Sequence, residues 1–180
     1  MLRNNFVALV FCNCVSSFVL DLFIFILPHL DGNPYLTGAS VSLFQTLAYL
    51  TSSLLLRLLG VKLQIFLCYL LPFATALTYL LRLHLTSGTL SPLENAVMLG
   101  LTLFGLAANY NSTLYGAYRV APPGYAGTFF VLMNLFKVGL VSLTPVIADV
   151  QQGSQEFLMQ GCALLSMVSS GMAWVLIKID

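Results

Sequence analysis

The chain has 180 residues, of which 59% are hydrophobic and 7% are charged, and its formal net charge is +1. About a quarter of the residues in a soluble globular domain are charged, so this composition excludes such a domain and predicts an integral membrane protein. The small net charge and the lack of a basic cluster in the sequence argue against a nucleic-acid partner.

Six apolar segments are long enough to cross a bilayer, since a membrane-spanning helix needs about 20 such residues. Their polarity does not alternate as it does in barrel strands, and helices are the other structure that satisfies the backbone in hydrocarbon. Pro72 and Pro145 lie inside the third and fifth segments, where we expect kinks. In chain order, the predicted spans of this single domain cover residues 6–30, 39–59, 63–83, 96–118, 128–150 and 157–179.

The distribution of basic residues predicts the orientation, because loops on the cytoplasmic side of membrane proteins are enriched in lysine and arginine. Both termini should therefore face the cytoplasm, or the matrix or stroma of an organelle. Arg82 and four acids, Asp31, Glu94, Asp149 and Glu156, should lie on the opposite side. The residues expected on the cytoplasmic side are Arg3, Arg57, Lys62, Arg119 and Lys178.

Polar residues recur at helical spacing in four of the six predicted spans. The third and sixth spans have weaker polar stripes, and we expect them to face lipid. Such a three-plus-three pattern is typical of transporter folds built from inverted repeats. The stripes of the first, second, fourth and fifth spans include Asn13, Ser17, Asp21, Ser42, Gln45, Tyr49, Ser52, Thr102, Asn109, Ser112, Asn134, Lys137 and Thr144.

Two charged residues, Asp21 and Lys137, lie away from the ends of predicted spans, and a charge at the bilayer centre costs at least about 2.5–3.5 kcal/mol. They should therefore face protein or water. Three interpretations are open: a substrate or ion-coupling site, a structural ion pair between the first and fifth helices, and a lysine that extends into a neighbouring subunit. The sequence contains no motif for catalysis, metal binding or a cofactor, so we expect neither an enzyme nor a bound cofactor.

Four stretches resemble, in order, motifs of the organic-ion transporters of the major facilitator superfamily. LDGNPYL (30–36) resembles the LGGNxYL that follows the family's seventh helix, and RLLGVK (57–62) stands where the family has a DRLGRR-like turn. STLYGAYRVAPPGYAG (112–127) is similar to STLYxYTxELFPTxxRxxG, and LFKVGLVSLTPVI (135–147) resembles xxRVGxxLAPFx. The resemblance covers about Ser17–Val150 and implies the carboxy-terminal six-helix half of such a transporter.

The resemblance also implies a central cavity lined by the first, second, fourth and fifth helices. Lys137 occupies the basic position that anion-carrying members use in their eleventh helix, which favours an organic anion as the solute. The residues expected along the solute path, or as buried polar contacts, are Asp21, Gln45, Tyr49, Asn109, Asn134 and Lys137.

The charged residues of the family's cytoplasmic motifs are largely replaced. Gln45 stands in place of the acid of the family's eighth helix, Arg57 opens the turn in place of an aspartate, and Arg119 and Ala126 replace the Glu and Arg of the third motif. In the family these charges latch the transporter during alternating access. The remnants of these motifs are Arg57, Gly60, Lys62, Arg119 and Pro122.

Two functions follow from these observations. The first is a half-transporter that pairs with itself or with a separate half and moves an organic solute. The second is a non-transporting accessory subunit, derived from a transporter, of a larger respiratory or photosynthetic membrane complex. The polar stripes favour the first, whereas the half length and the altered motifs favour the second. Both require a partner chain in addition to membrane lipids, because one half alone would expose its polar faces to hydrocarbon.

Overall fold

The computed structural model describes residues 2–27, 34–86, 91–122, 124–151 and 155–178. Within these ranges the chain is 94% helix and contains no strand, which confirms the all-α prediction. Parts of the first and last predicted spans (28–30 and 179), Asp31 and most of the stretch 30–36 lie outside the described residues. The helices are α1 Leu2–Ile26, α2 Pro34–Thr86, α3 Pro92–Val120, α4 Ala126–Val141, α5 Thr144–Gln151 and α6 Gln155–Leu176.

Four stretches of the described helices are long and apolar enough to cross a membrane. They are Asn4–Ile26, Pro34–Leu85, Ala126–Asp149 and Glu156–Leu176. Their length and hydropathy are compatible with an integral membrane protein, as the composition predicts. The third stretch runs across α4 and α5, and α3 is not among the four.

The long helix α2 consists of two segments, 34–59 and 61–86, which meet at Gly60. Gly60 has φ 73° and ψ 167°, a non-helical conformation. Nε2 of Gln64 donates to the carbonyl oxygen of Ser52 at 3.2 Å, although residues twelve apart would lie about 18 Å apart along a straight helix. The chain therefore reverses direction at Gly60, inside the stretch where the sequence predicts the boundary between its second and third spans.

Replacement of Gly60 by alanine should lower the free energy of unfolding by about 1–3 kcal/mol, because its backbone conformation is essentially restricted to glycine. A Cβ atom would have open space there, so the effect isolates the backbone term. Gly38→Ala in the same helix, where a Cβ also has open space, is the matched control and should be neutral or stabilising. Reversible unfolding in detergent measures both variants. Equal stability of the Gly60→Ala and Gly38→Ala variants would contradict the non-helical turn at Gly60.

The helix α3 packs against both segments of α2. The Ser40 hydroxyl in the first segment donates to the carbonyl oxygen of Ala96 at 2.9 Å. The hydroxyls of Thr75 in the second segment and Thr102 lie 2.8 Å apart. These contacts place α3 in the angle of the α2 hairpin, where it can present side chains to the rest of the bundle.

The helix α3 approaches the backbone of the second segment of α2 closely at Gly105. A Cβ atom on this glycine would lie 2.5 Å from Cδ of Pro72 and 2.7 Å from the carbonyl oxygen of Cys68. Pro72 has no N–H to donate to the Cys68 carbonyl, four residues earlier, so this oxygen has lost its normal helical partner. A glycine at position 105 is therefore what allows the two helices to meet at the proline.

The fifth predicted span is interrupted between α4 and α5. The amide of Leu143 donates to the carbonyl of Leu140, three residues earlier, at 3.1 Å, and α5 begins at Thr144 immediately before Pro145. A proline cannot donate to the preceding turn, so the helix is interrupted next to the residue where the sequence predicts a kink. Only 11% of the most apolar window of this stretch is buried, the smallest share among the four candidate spans.

The two ends of the described chain lie side by side. Asn5 in α1 donates to the carbonyl of Lys178 at 3.3 Å and accepts from its amide at 2.9 Å. At the other end of the bundle, Nε2 of His84 in α2 lies 3.8 Å from a carboxylate oxygen of Glu156 in α6. These contacts close the bundle at both ends. Within the bundle, α1 packs against α3, α4, α5 and α6.

Candidate functional site

A cavity of about 180 Å³ lies between α1, the first segment of α2, α3 and α4. It brings together four of the six residues predicted for the solute path, and these come from three helices that are distant in sequence. The lining residues are Ser17, Leu20, Asp21, Ile24, Gln45, Tyr49, Tyr110 and Lys137.

Lys137 is held in the cavity by Tyr110 of α3. Its Nζ donates to the Tyr110 hydroxyl at 3.2 Å and lies 4.6 Å from the centroid of the ring, whose face attracts a cation. An ammonium group has three N–H donors. Within the described ranges, Lys137 uses one of them, in the hydrogen bond to Tyr110. The remaining donors are available to a group that enters the cavity. Sequence reasoning missed Tyr110, because a tyrosine in an apolar run has the pattern of an ordinary core residue.

Asp21 and Lys137 line the same cavity and attract each other electrostatically. In the part of the chain that the structure describes, however, they do not form a direct salt bridge, and their charged atoms lie more than 4.0 Å apart. The structural ion pair between the first and fifth predicted spans therefore stays a prediction, without a direct contact of the two charged groups among the described residues. Each charge keeps its capacity to bind a third group.

Several polar side chains in the cavity have no partner. Ser17 is 3% exposed, and its hydroxyl makes no hydrogen bond. Across the described ranges, the side chains of Asp21 and Gln45 also make none. A buried polar group without a partner costs about 1–3 kcal/mol, and this cost applies to Ser17, whereas Asp21 and Gln45 are half-buried.

The other two predicted site residues lie elsewhere. Asn109 is fully buried and donates to the Ser16 hydroxyl at 2.8 Å. The Ser16 and Tyr69 hydroxyls lie 2.9 Å apart, and Tyr69 donates to the carbonyl of Cys12. This chain of hydrogen bonds ties α3 to α1 and to the second segment of α2. Asn134 donates to a carbonyl oxygen of its own helix α4 at 2.9 Å and does not line the cavity.

The five predicted remnants of the cytoplasmic motifs share no common network within the described residues. Nζ of Lys62 lies 4.7 Å from the centroid of the Trp174 ring, which joins α2 to α6. The Arg119 guanidinium lies 5.6 Å from the centroid of Tyr115 in its own helix. The Arg57 side chain is exposed. Gly60 is the turn glycine of α2, and the carbonyl of Pro122 accepts from the amide of Tyr125.

Over the described part of the chain, no group of three or more His, Cys, Asp and Glu side chains could hold a metal ion. All four cysteines are free and buried, Cys12, Cys14, Cys68 and Cys162. Comparison of the chain with protein-family models, with curated proteins and with solved structures finds no match. The cavity around Lys137 is thus the feature from which a function can be argued.

Proposed function

We propose that this chain is one six-helix half of a membrane transporter that moves a small organic solute, with Lys137 binding the anionic group of that solute. The observation that carries the proposal is the cavity in which Lys137 faces polar side chains of α1 and α2 that make no hydrogen bond among the described residues. Intramembrane charges that line a cavity are typical of substrate and ion pathways.

The helix arrangement supports a six-span unit. The reversal at Gly60 divides α2 into two segments of 26 residues each, 34–59 and 61–86, and each is long enough to cross a bilayer at 1.5 Å per residue. With α1, the α4–α5 stretch and α6, and with α3 counted as a crossing by its length of 29 residues, the proposed unit has six crossings. The hydrogen bonds between Asn5 and Lys178 fit an even number of crossings. A three-plus-three inverted repeat, as in half of a major facilitator superfamily transporter, fits this order of helices.

The exposed side of the cavity supports pairing with a second half. Tyr49 lines the cavity with 47% of its surface exposed, and α4, which supplies Lys137, is mostly unburied. Polar groups that face hydrocarbon without a partner are costly. A second six-helix half placed over α4 and the first segment of α2 would cover these groups and complete a central path.

The native mass of the complex tests this proposal. The protein is purified in mild detergent, and every chain that accompanies it is identified by mass spectrometry. A particle of two six-helix units, formed by two copies or by one similar chain, supports the half-transporter. Co-purification with a large complex of many subunits would overturn it in favour of an accessory subunit, with the same exposed face as the docking surface.

A further inference from the structure

We propose that the cavity binds a small zwitterionic solute, with the carboxylate of the solute on Lys137 and its ammonium group on Asp21. The inference rests on the proposed function, because it takes the cavity as the solute site and narrows the class of solute. The cavity contains one negative and one positive side chain, Asp21 and Lys137. A simple anion drawn to Lys137 also meets the Asp21 carboxylate, and a simple cation drawn to Asp21 also meets the Lys137 ammonium.

A solute that carries both charges resolves this conflict. Because Asp21 and Lys137 are more than 4.0 Å apart and are not bonded to each other, each can form a charge-assisted hydrogen bond or ion pair with the opposite end of such a solute. A zwitterion also has no net charge to transfer from water into the membrane, which lowers its desolvation penalty relative to an ion.

The remaining lining residues fit the same class. The unpartnered hydroxyl of Ser17, one helical turn before Asp21, and the free amide of Gln45 supply neutral hydrogen-bonding groups. Tyr49 adds an aromatic ring, and such rings stabilise quaternary ammonium groups. A cavity of about 180 Å³ has room for a solute of a few carbon atoms, such as an amino acid or a betaine.

Three probes of similar shape differ in the charges that they carry. Glycine betaine carries both charges, 3,3-dimethylbutyrate has carbon in place of its nitrogen and carries only the carboxylate, and choline carries only the quaternary ammonium. Binding of radiolabelled betaine to the native complex in lipid nanodiscs is measured directly and in competition with the other two. We expect betaine to bind at least about tenfold more tightly than either analogue, because each charged contact is worth about that factor.

Two variants identify which residue binds which charged group of the solute. Asp21→Asn should abolish the preference for betaine over 3,3-dimethylbutyrate, and Lys137→Gln should abolish the preference for betaine over choline. Asp149→Asn and Lys178→Gln make the same substitutions outside the cavity and should leave binding unchanged. Thermal unfolding of each variant confirms that the bundle is intact.

Two outcomes overturn the inference: an analogue with one charge that binds as tightly as betaine, or betaine that does not bind. Uptake into vesicles separates this failure from that of the proposed function. If 3,3-dimethylbutyrate is bound and taken up in preference to betaine, transport stands and the zwitterion is rejected. If betaine binds as described and no probe is taken up, the zwitterion site stands and transport is rejected.

Discussion

Replacement of Lys137 by alanine should reduce solute uptake to background while the protein still accumulates in the membrane. Among the described residues that line the cavity, Lys137 is the one basic residue, and its loss leaves the carboxylate of a solute opposite Asp21 with no counter-charge. Accumulation should persist, because Lys137 contributes one hydrogen bond and one ring contact, both to Tyr110, and no direct salt bridge among the described residues.

The measurement is uptake of radiolabelled betaine and 3,3-dimethylbutyrate into vesicles that contain equal amounts of each variant. Lys137→Arg keeps the charge and should retain part of the activity, and Lys178→Ala, outside the cavity, should retain all of it. Normal uptake by Lys137→Ala would remove this residue from the solute path. A fall in the amount of an assembled many-subunit complex, with no uptake in the wild type, would instead indicate a structural role.

Gly105→Ala should destabilise the bundle more than any alanine placed at an open glycine. The added Cβ would meet the ring of Pro72 and the backbone oxygen of Cys68. Neither group can rotate away, so α3 and the second segment of α2 must separate. Overpacking of this kind costs about 1–3 kcal/mol, and separation would also weaken the hydrogen bond between Thr75 and Thr102, 2.8 Å long and three residues away on each helix.

The control for this variant is Gly139→Ala, where a Cβ atom meets nothing within 4 Å. It should be neutral or stabilising by up to about 1 kcal/mol, since alanine favours helix over glycine. Unfolding in mixed detergent micelles, followed by circular dichroism, gives the free energies of both variants. A Gly105→Ala variant as stable as Gly139→Ala would show that the two helices do not meet closely at Pro72.

Much of the fold follows from hydropathy and from the positions of glycine and proline. The all-helical class, the break inside RLLGVK and the interruption near Pro145 are all readable from the sequence, because glycine and proline act locally on the backbone. The packing partner of each polar residue is not readable in this way. Asn109 and Tyr110 are neighbours in sequence, yet one bonds Ser16 in the core and the other holds Lys137 in the cavity.

The same limit applies to the candidate site. Intramembrane charge identifies Asp21 and Lys137, because few functions justify the cost of a charge in hydrocarbon. The distance between them depends on how α1 and α4 pack, and periodicity within one helix contains no information on this. The sequence therefore predicts that Asp21 and Lys137 interact, and the separation of their charged groups is a property of the three-dimensional arrangement alone.

The pairing of Asn5 with Lys178 has a consequence for biosynthesis. These two residues are 173 positions apart, and α1 also packs against α6. Contacts of such long range form late, so α1 remains without one of its final neighbours until α6 has been translated. During that interval a membrane chaperone would find α1 accessible, and truncation before α6 should leave a chain that quality control removes.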